Sequence, residues 1–195
     1  MQNHFSKAVA GCALAVVCLA HVASAQTPAP GAQPAPGTPV SPVVANPTYI
    51  SIPLEIAVNR PAAEVWKRVG KFCDVAEWFR IPSCTITSGK DGEFGAVRSV
   101  AGEVLVAKTE LSYTYTQTVK EGRPYNLYHG TLEARPVTAT TSKLVYTLIF
   151  DNSMLPDDAA REKDRAQRTT RFTQALENMK ILAEGGTLPP PPVKR

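Results

Sequence analysis

The chain has 195 residues, of which 44% are hydrophobic, so it is long enough for one ordinary domain with a buried core. Its charged fraction is 19% and its formal net charge is +4, which excludes the strongly basic composition of a dedicated nucleic-acid-binding protein. Eleven of the 17 prolines lie near the ends of the chain, in residues 28–47 and 189–192, so the two ends differ in composition from the middle.

The N-terminus has the three parts of a secretory signal peptide. Lys7, preceded by His4, gives a short positive region, residues 8–20 are apolar and uncharged, and Ala23-Ser24-Ala25 is a small-x-small cleavage site. The apolar stretch of about 13 residues is shorter than the ~20 that a membrane-spanning helix needs. We therefore predict a signal peptide over residues 1–25, export to the periplasm, and no stable membrane anchor.

Cleavage before Gln26 would leave two cysteines, Cys73 and Cys84, and a single histidine, His129. The compartment outside the inner membrane is oxidising, and a disulfide would close a short loop and stabilise the fold by about 3 kcal/mol. Two buried free thiols are the alternative, since spacing alone does not show that the sulfur atoms meet. Of the two, we favour the disulfide between Cys73 and Cys84.

Two segments flank the part of the chain that can fold. Residues 26–48 are rich in Pro, Ala, Gly and Thr and carry no charge, and residues 185–195 contain a run of four prolines. Such segments bury too little apolar surface to offset the chain entropy lost on folding. We predict a disordered linker, one folded domain over residues 49–184, and a disordered C-terminal tail.

The folded part is predicted to begin with a strand and two short helices. Apolar residues alternate over 49–58, which is the period of a strand. Pro61 suits the first turn of a helix and Gly70 its end, so a helix is predicted over residues 62–69. Residues 74–79 form a second short helical piece, which ends before Pro82.

A run of strands and one long helix complete the pattern. Residues 157–184 contain no Pro or Gly, and Phe172, Leu176 and Met179 recur at three- to four-residue steps, as in an amphipathic helix. The first half of this helix is mixed in charge and is interpreted as a solvated face, with a docking surface for a protein partner as the alternative. The strands between are predicted over residues 84–88, 96–100, 103–108, 111–119, 127–134 and 143–150.

The fold class follows from how these elements can bury their apolar faces. No helix long enough for a parallel crossover separates the later strands, so an antiparallel sheet of six to seven strands is expected. The sheet and the long helix can cover their apolar faces only by packing together. We predict an α+β fold in which a curved sheet surrounds the C-terminal helix, encloses a cavity, and has two short helices after its first strand.

Short motifs occur in a fixed order along the folded part: Pro61-Ala-Ala-Glu-Val-Trp66, Trp78, Gly95-Ala-Val-Arg98, Glu103-Val-Leu105, Tyr113-Thr-Tyr115, Tyr128-His-Gly-Thr-Leu132, Tyr146, Phe150-Asp151 and residues 176–183. With the order of elements, they resemble the START-like helix-grip superfamily (SRPBCC), in particular its bacterial polyketide cyclase/dehydrase-like branch. The resemblance covers roughly residues 49–184. It implies a cavity that holds a small hydrophobic or amphipathic molecule.

The ligand-binding residues are predicted from three sources. The resemblance implies that Trp78, Glu103, Tyr128, Gly130 and Tyr146 face the cavity. Strand alternation adds Tyr113 and Tyr115, and the apolar stripe of the last helix adds Phe172 and Leu176. On the same alternation, His129 points outward.

Few residues are available for catalysis. The one histidine and two cysteines that cleavage would leave are too few for a zinc or copper site or for a Ser-His-Asp or Cys-His nucleophile, and the sequence has no phosphate-binding glycine loop. We therefore expect no metal and no cofactor. Glu103 is the candidate acid–base residue, because a carboxylate in an apolar cavity can exchange a proton near neutral pH. Alternatively, Glu103 pairs with Arg98 or a lysine and only orients a ligand or stabilises the fold.

Three functions are compatible with these features. We favour an exported carrier or sensor of a small hydrophobic ligand that performs no catalysis. The second is a polyketide cyclase/dehydratase-like lyase or isomerase that uses Glu103 and holds a carbonyl with tyrosine hydroxyls. The third is an accessory protein that acts on a periplasmic partner, not identified by the sequence, through the charged half of the last helix. An isolated, buried Glu103 in a cavity would favour the enzyme.

Overall fold

The computed structural model describes residues 46–119 and 126–190. The predicted signal peptide over 1–25, nearly all of the predicted linker over 26–48 and the last five residues of the predicted tail lie outside the described residues. Within those residues, no helix combines the length and the apolar content that crossing a bilayer requires.

The described residues form a curved antiparallel sheet, two short helices and one long helix. The strands are ordered β1-β7-β6-β5-β4-β3-β2, so β1 closes one edge of a continuous meander. This architecture confirms the predicted helix-grip fold. In chain order the elements are β1 Tyr49–Val58, α1 Ala62–Val69, α2 Val75–Trp78, β2 Ile86–Ser88, β3 Val97–Arg98, β4 Glu103–Lys108, β5 Ser112–Gln117, β6 Tyr128–Pro136, β7 Ser142–Asp151 and α3 Asp158–Ala183.

β2 and β3 are shorter than the sequence predicts. β3 is limited by a turn on each side, since the amide of Ala96 donates to the carbonyl of Glu93 and that of Glu103 to the carbonyl of Val100. Gly95 has a φ of 82° in the first turn, a conformation that glycine adopts without strain. Because of these two turns, only two residues of β3 pair with the neighbouring strands.

α3 has two halves with different surroundings. Asp157 is its N-cap, and the Asp157 side chain accepts a hydrogen bond from the amide of Ala160 (2.7 Å). Its buried residues all lie in the second half, where α3 packs against β1, β7 and the two short helices: Phe172, Ala175, Leu176, Asn178, Met179 and Leu182. The first half extends beyond the core and brings charged side chains to the end of the sheet where β6 begins.

Candidate functional site

A pocket of about 560 Å³ lies at one end of the space between the sheet and α3. This volume falls within the range of sites that hold small organic molecules. Its walls come from α2 and the residues after it, from β3 to β6, and from α3. The lining residues are Val75, Phe79, Ile81, Arg98, Val100, Ala101, Glu103, Tyr115, Gln117, Tyr128, Arg168, Arg171 and Phe172.

A second pocket of similar size, about 580 Å³, lies beside Trp66, Phe94 and Tyr113. The charged residues that line it are all exposed: Lys71, Asp91, Lys108 and Glu110. The first pocket instead contains charged and hydrogen-bonding groups that are buried and converge on one point. We therefore take the first pocket as the candidate site, and refer to it below as the cavity.

Strand register brings three polar side chains together at the cavity floor. Arg98 of β3 lies opposite Glu103 of β4, and Glu103 lies opposite Gln117 of β5. Residues directly opposite each other in an antiparallel pair have neighbouring side chains. The row Arg98-Glu103-Gln117 therefore crosses three strands on the inward face of the sheet.

Arg98 and Glu103 form a salt bridge that is almost completely buried, since these residues are 1% and 4% exposed. Nε and Nη2 of Arg98 lie 2.7 and 2.6 Å from Oε2 of Glu103, and Gln117 donates to Oε1 (2.8 Å). The guanidinium also donates to the carbonyl of Phe72 and lies 4.3 Å from that ring's centroid. Both carboxylate oxygens thus accept hydrogen bonds, as a buried ion pair requires.

The charge on Arg98 persists in spite of this burial. Burial by itself disfavours the cation, but the facing Tyr113, Glu103, Tyr146 and Tyr115 outweigh it, and the pKa of Arg98 lies above its ordinary value. Of the two roles considered for Glu103, the structure therefore shows the pairing with Arg98. No isolated carboxylate faces the cavity at this position.

Two buried tyrosines, Tyr115 of β5 and Tyr146 of β7, come from strands separated by β6 and meet next to the ion pair. The hydroxyl of Tyr146 donates to that of Tyr115 (3.0 Å). Burial raises the pKa of both hydroxyls well above the ordinary value, so both are protonated at neutral pH. A Cβ atom at Gly130 would lie 2.4 Å from the Tyr115 ring, so glycine at this position allows the ring to lie against β6.

The structure places only some of the predicted ligand-binding residues at the cavity. Glu103, Tyr115, Tyr128 and Phe172 line the cavity. Trp78, Tyr146 and Leu176 are buried in the core and do not line it. Tyr113 lines the second pocket, and Gly130 lies beneath the Tyr115 ring.

Two lining residues on α3, Arg168 and Arg171, were not anticipated as site residues. The guanidinium carbon of Arg168 lies 4.4 Å from the ring centroid of Phe150, and that of Arg171 lies 4.8 Å from that of Phe79. Both belong to the charged run that was interpreted as a solvated face. Arg168, whose side chain is 19% exposed, departs from this interpretation, whereas Arg171 is exposed and agrees with it. Their spacing contained a signal, because Arg168 precedes Phe172 by one helical turn and so lies on the same face.

The predicted disulfide is present and supports one wall of the cavity. Cys73 and Cys84 are bonded, with their Cα atoms 5.3 Å apart. The loop that the bond closes contains α2 and its neighbours, which contribute Val75, Phe79 and Ile81 to the lining. The bond therefore fixes both ends of the segment that forms this wall.

Solved structures share this architecture at low sequence identity. The chain is similar to a protein of Thermobifida fusca, with a TM-score of 0.58 and 23% identity over 70% of this chain and 95% of that one. It is similar to the Zhui aromatase/cyclase from Streptomyces sp. R1128, with a TM-score of 0.54 and 19% identity over 72% and 100%. It is also similar to a truncated norcoclaurine synthase from Thalictrum flavum, with a TM-score of 0.53 and 11% identity over 74% and 99%. At these identities the likeness shows the fold alone.

Sequence comparison gives a family rather than an individual relative. No curated protein matches the chain. Residues 49–184 match the family model described as polyketide cyclase/dehydrase and lipid transport, which confirms the resemblance seen in the motifs. Since the match covers well over half of the chain and the fold agrees with it, this protein belongs to the polyketide cyclase/dehydrase and lipid transport family.

Proposed function

We propose that this protein is exported to the periplasm and there holds a small hydrophobic or amphipathic ligand, as a carrier or sensor, without catalysing a reaction on it. The observation that carries the proposal is the cavity of about 560 Å³ with aromatic walls and a buried, paired Glu103. Phe79, Tyr115, Tyr128 and Phe172 offer an apolar surface to a ligand. The family's description, which includes lipid transport, is consistent with this use.

The ion pair weighs against acid–base catalysis by Glu103. A proton taken up by this carboxylate would leave the Arg98 cation buried without its counter-charge. Loss of one partner of a buried pair costs about 3–5 kcal/mol, which would be added to the barrier of any such reaction. The neutral hydroxyls of Tyr115 and Tyr146 are donors and acceptors rather than bases at neutral pH. Holding a ligand requires none of these groups to change its charge.

Native mass spectrometry of the protein purified from its host tests ligand binding. We expect a co-purifying small molecule on the wild type and none on Val100→Trp, which places an indole in the cavity. Val106→Trp is the matched control, because Val106 is 44% exposed and does not line the cavity. Repeated absence of any bound molecule from the wild type, or equal occupancy in Val100→Trp, would contradict the proposal.

Export is tested separately by fractionating a bacterial host that expresses the full chain. The signal-like pattern of residues 1–25 and a disulfide in the fold support an oxidising destination. We expect periplasmic protein whose N-terminal residue is Gln26. Deletion of residues 8–20 should retain the protein in the cytoplasm. Uncleaved wild-type chain in the cytoplasmic fraction would refute export.

A further inference from the structure

Two arginines of α3 lie at the rim of the cavity. Three arginines line the cavity, Arg98, Arg168 and Arg171, but Glu103 is the only acidic residue among the described lining residues. Glu103 is committed to Arg98 by the buried salt bridge. Arg168 pairs with Asp164 on α3, which leaves Arg171 as the lining arginine for which no salt bridge is found within the described residues.

Arg168 is held in place by its neighbours on α3 and in the sheet. Its Nε donates to Oδ2 of Asp164 (2.8 Å), and its side chain is only 19% exposed. The guanidinium lies over the rings of Phe150 and Tyr128, at 4.4 and 5.2 Å from their centroids. Stacking and pairing fix the position of this charge at the cavity edge.

Arg171 completes the rim one helical turn further along. Within residues 46–119 and 126–190, no carboxylate lies at salt-bridge distance from its guanidinium, which stacks on Phe79. Arg171 is an exposed residue, so its guanidinium is accessible to a charged group at the mouth of the cavity. A carboxylate bound there would give the guanidinium a charge-assisted hydrogen-bond partner.

We infer that the ligand is an organic acid with an apolar body, whose carboxylate binds Arg171 at the cavity rim. The apolar body then lies along Tyr115, Tyr128 and Phe172, inside the cavity. A guanidinium matches a carboxylate in shape and charge, and the aromatic wall suits either an aromatic or an alkyl body. This inference rests on the proposed function, since it names the chemical class of the ligand that the cavity holds.

Isothermal titration calorimetry of the exported protein with two pairs of probes tests the inference. The pairs are 2-naphthoic acid with 2-naphthalenemethanol, and decanoic acid with decanol. Each pair has one apolar body with and without the carboxylate. On the wild type we expect the acid of at least one pair to bind about tenfold more tightly than its alcohol, or better. The pair that shows the larger preference identifies the body as aromatic or alkyl.

Substitutions assign the preference to the rim. Arg171→Gln should remove the preference for the acid without changing affinity for the alcohol, and Arg171→Lys should restore part of it. Arg165→Gln is the matched control, because Arg165 is an exposed arginine of α3 outside the cavity lining, and it should keep the full preference. Thermal unfolding of each variant verifies that it is folded.

The two proposals fail in different ways. Equal affinity of acid and alcohol for the wild type, or a preference that survives Arg171→Gln, overturns the acid inference and leaves ligand binding intact. Failure of all four probes to bind also overturns the inference. The proposed function is then judged by the co-purification experiment alone, whose result does not depend on the chemistry of the probes.

Discussion

The buried pair of Arg98 and Glu103 is the residue-level feature with the largest expected effect on stability. Removing Arg98 leaves Glu103 as a buried carboxylate without its cation, which costs about 3–5 kcal/mol, whereas replacing both partners by apolar residues is often nearly neutral. We predict that Arg98→Met lowers the free energy of unfolding in urea by this amount. The double variant Arg98→Met/Glu103→Leu should recover most of the loss.

A surface pair of the same type is the control. Arg68 and Glu77 are joined at 2.7 Å, but their side chains are 41% and 47% exposed. Exposed pairs contribute about 0–1 kcal/mol, so Arg68→Met should have a small effect. If Arg98→Met were no more destabilising than Arg68→Met, the pair would not be buried as described. Its role in holding Glu103 would then be in doubt.

His129 gives the stability a dependence on pH. Burial lowers the pKa of its imidazole below the ordinary value of 6.5. The unfolded chain therefore binds a proton more readily, and the fold loses stability as pH falls from about 6.5 towards the folded pKa. We predict that His129→Gln removes this part of the pH dependence, measured by urea unfolding between pH 7.5 and 5.5. Parallel curves for the two proteins would contradict the prediction.

Among the elements, α2 depends most on a covalent constraint. The helix has only four residues, too few to be stable alone, yet Val75 and Phe79 at its two ends line the cavity. The Cys73–Cys84 bond restricts the unfolded chain, and for a loop of this length this restriction stabilises the folded state by about 3 kcal/mol. We predict that Cys73→Ser/Cys84→Ser lowers the free energy of unfolding by about that amount and weakens ligand binding.

Reduction of the wild-type protein provides the control for this variant. With dithiothreitol, the wild type should approach the double variant in both stability and affinity, and the double variant should not respond to the reductant. A loss of stability with unchanged affinity would show that the wall formed by α2 keeps its position without the bond.

The elements also show why the sequence predicts the fold better than the site. Hydrophobic periodicity reports which face of an element is buried, and this was enough to predict β1, β4 and the apolar half of α3. It does not show whether an inward-facing side chain lines the cavity or is buried in the core. Tyr115 and Tyr146 both face inward, yet Tyr115 lines the cavity while Tyr146 lies in the core beside Trp78 and Phe172. The difference is set by where α3 crosses the sheet.

Charge patterns have a similar limit. Arg168 and Arg171 belong to a polar run whose composition is that of a solvated helix. The position of Arg168 at the cavity depends on α3 extending past the core, to the end of the sheet where Phe150 and Tyr128 provide rings for stacking, and Arg171 stacks on Phe79. Likewise, the need for glycine at position 130 follows from the rotamer of Tyr115, which the strand pattern does not contain.

At the scale of the whole molecule, the cavity couples ligand binding to global stability, because its walls come from α2, four strands and α3. A ligand that binds only the folded state raises the free energy of unfolding by about 2.7 kcal/mol at 100 times its dissociation constant. For a chain of this size that corresponds to a rise of roughly 5–10 °C in Tm. We predict this rise with the tighter-binding naphthyl or decyl probe in thermal unfolding of the wild type, and none with Val100→Trp. An equal rise in Val100→Trp would move the binding site away from the cavity, with the pocket beside Trp66 and Tyr113 as the next place to examine.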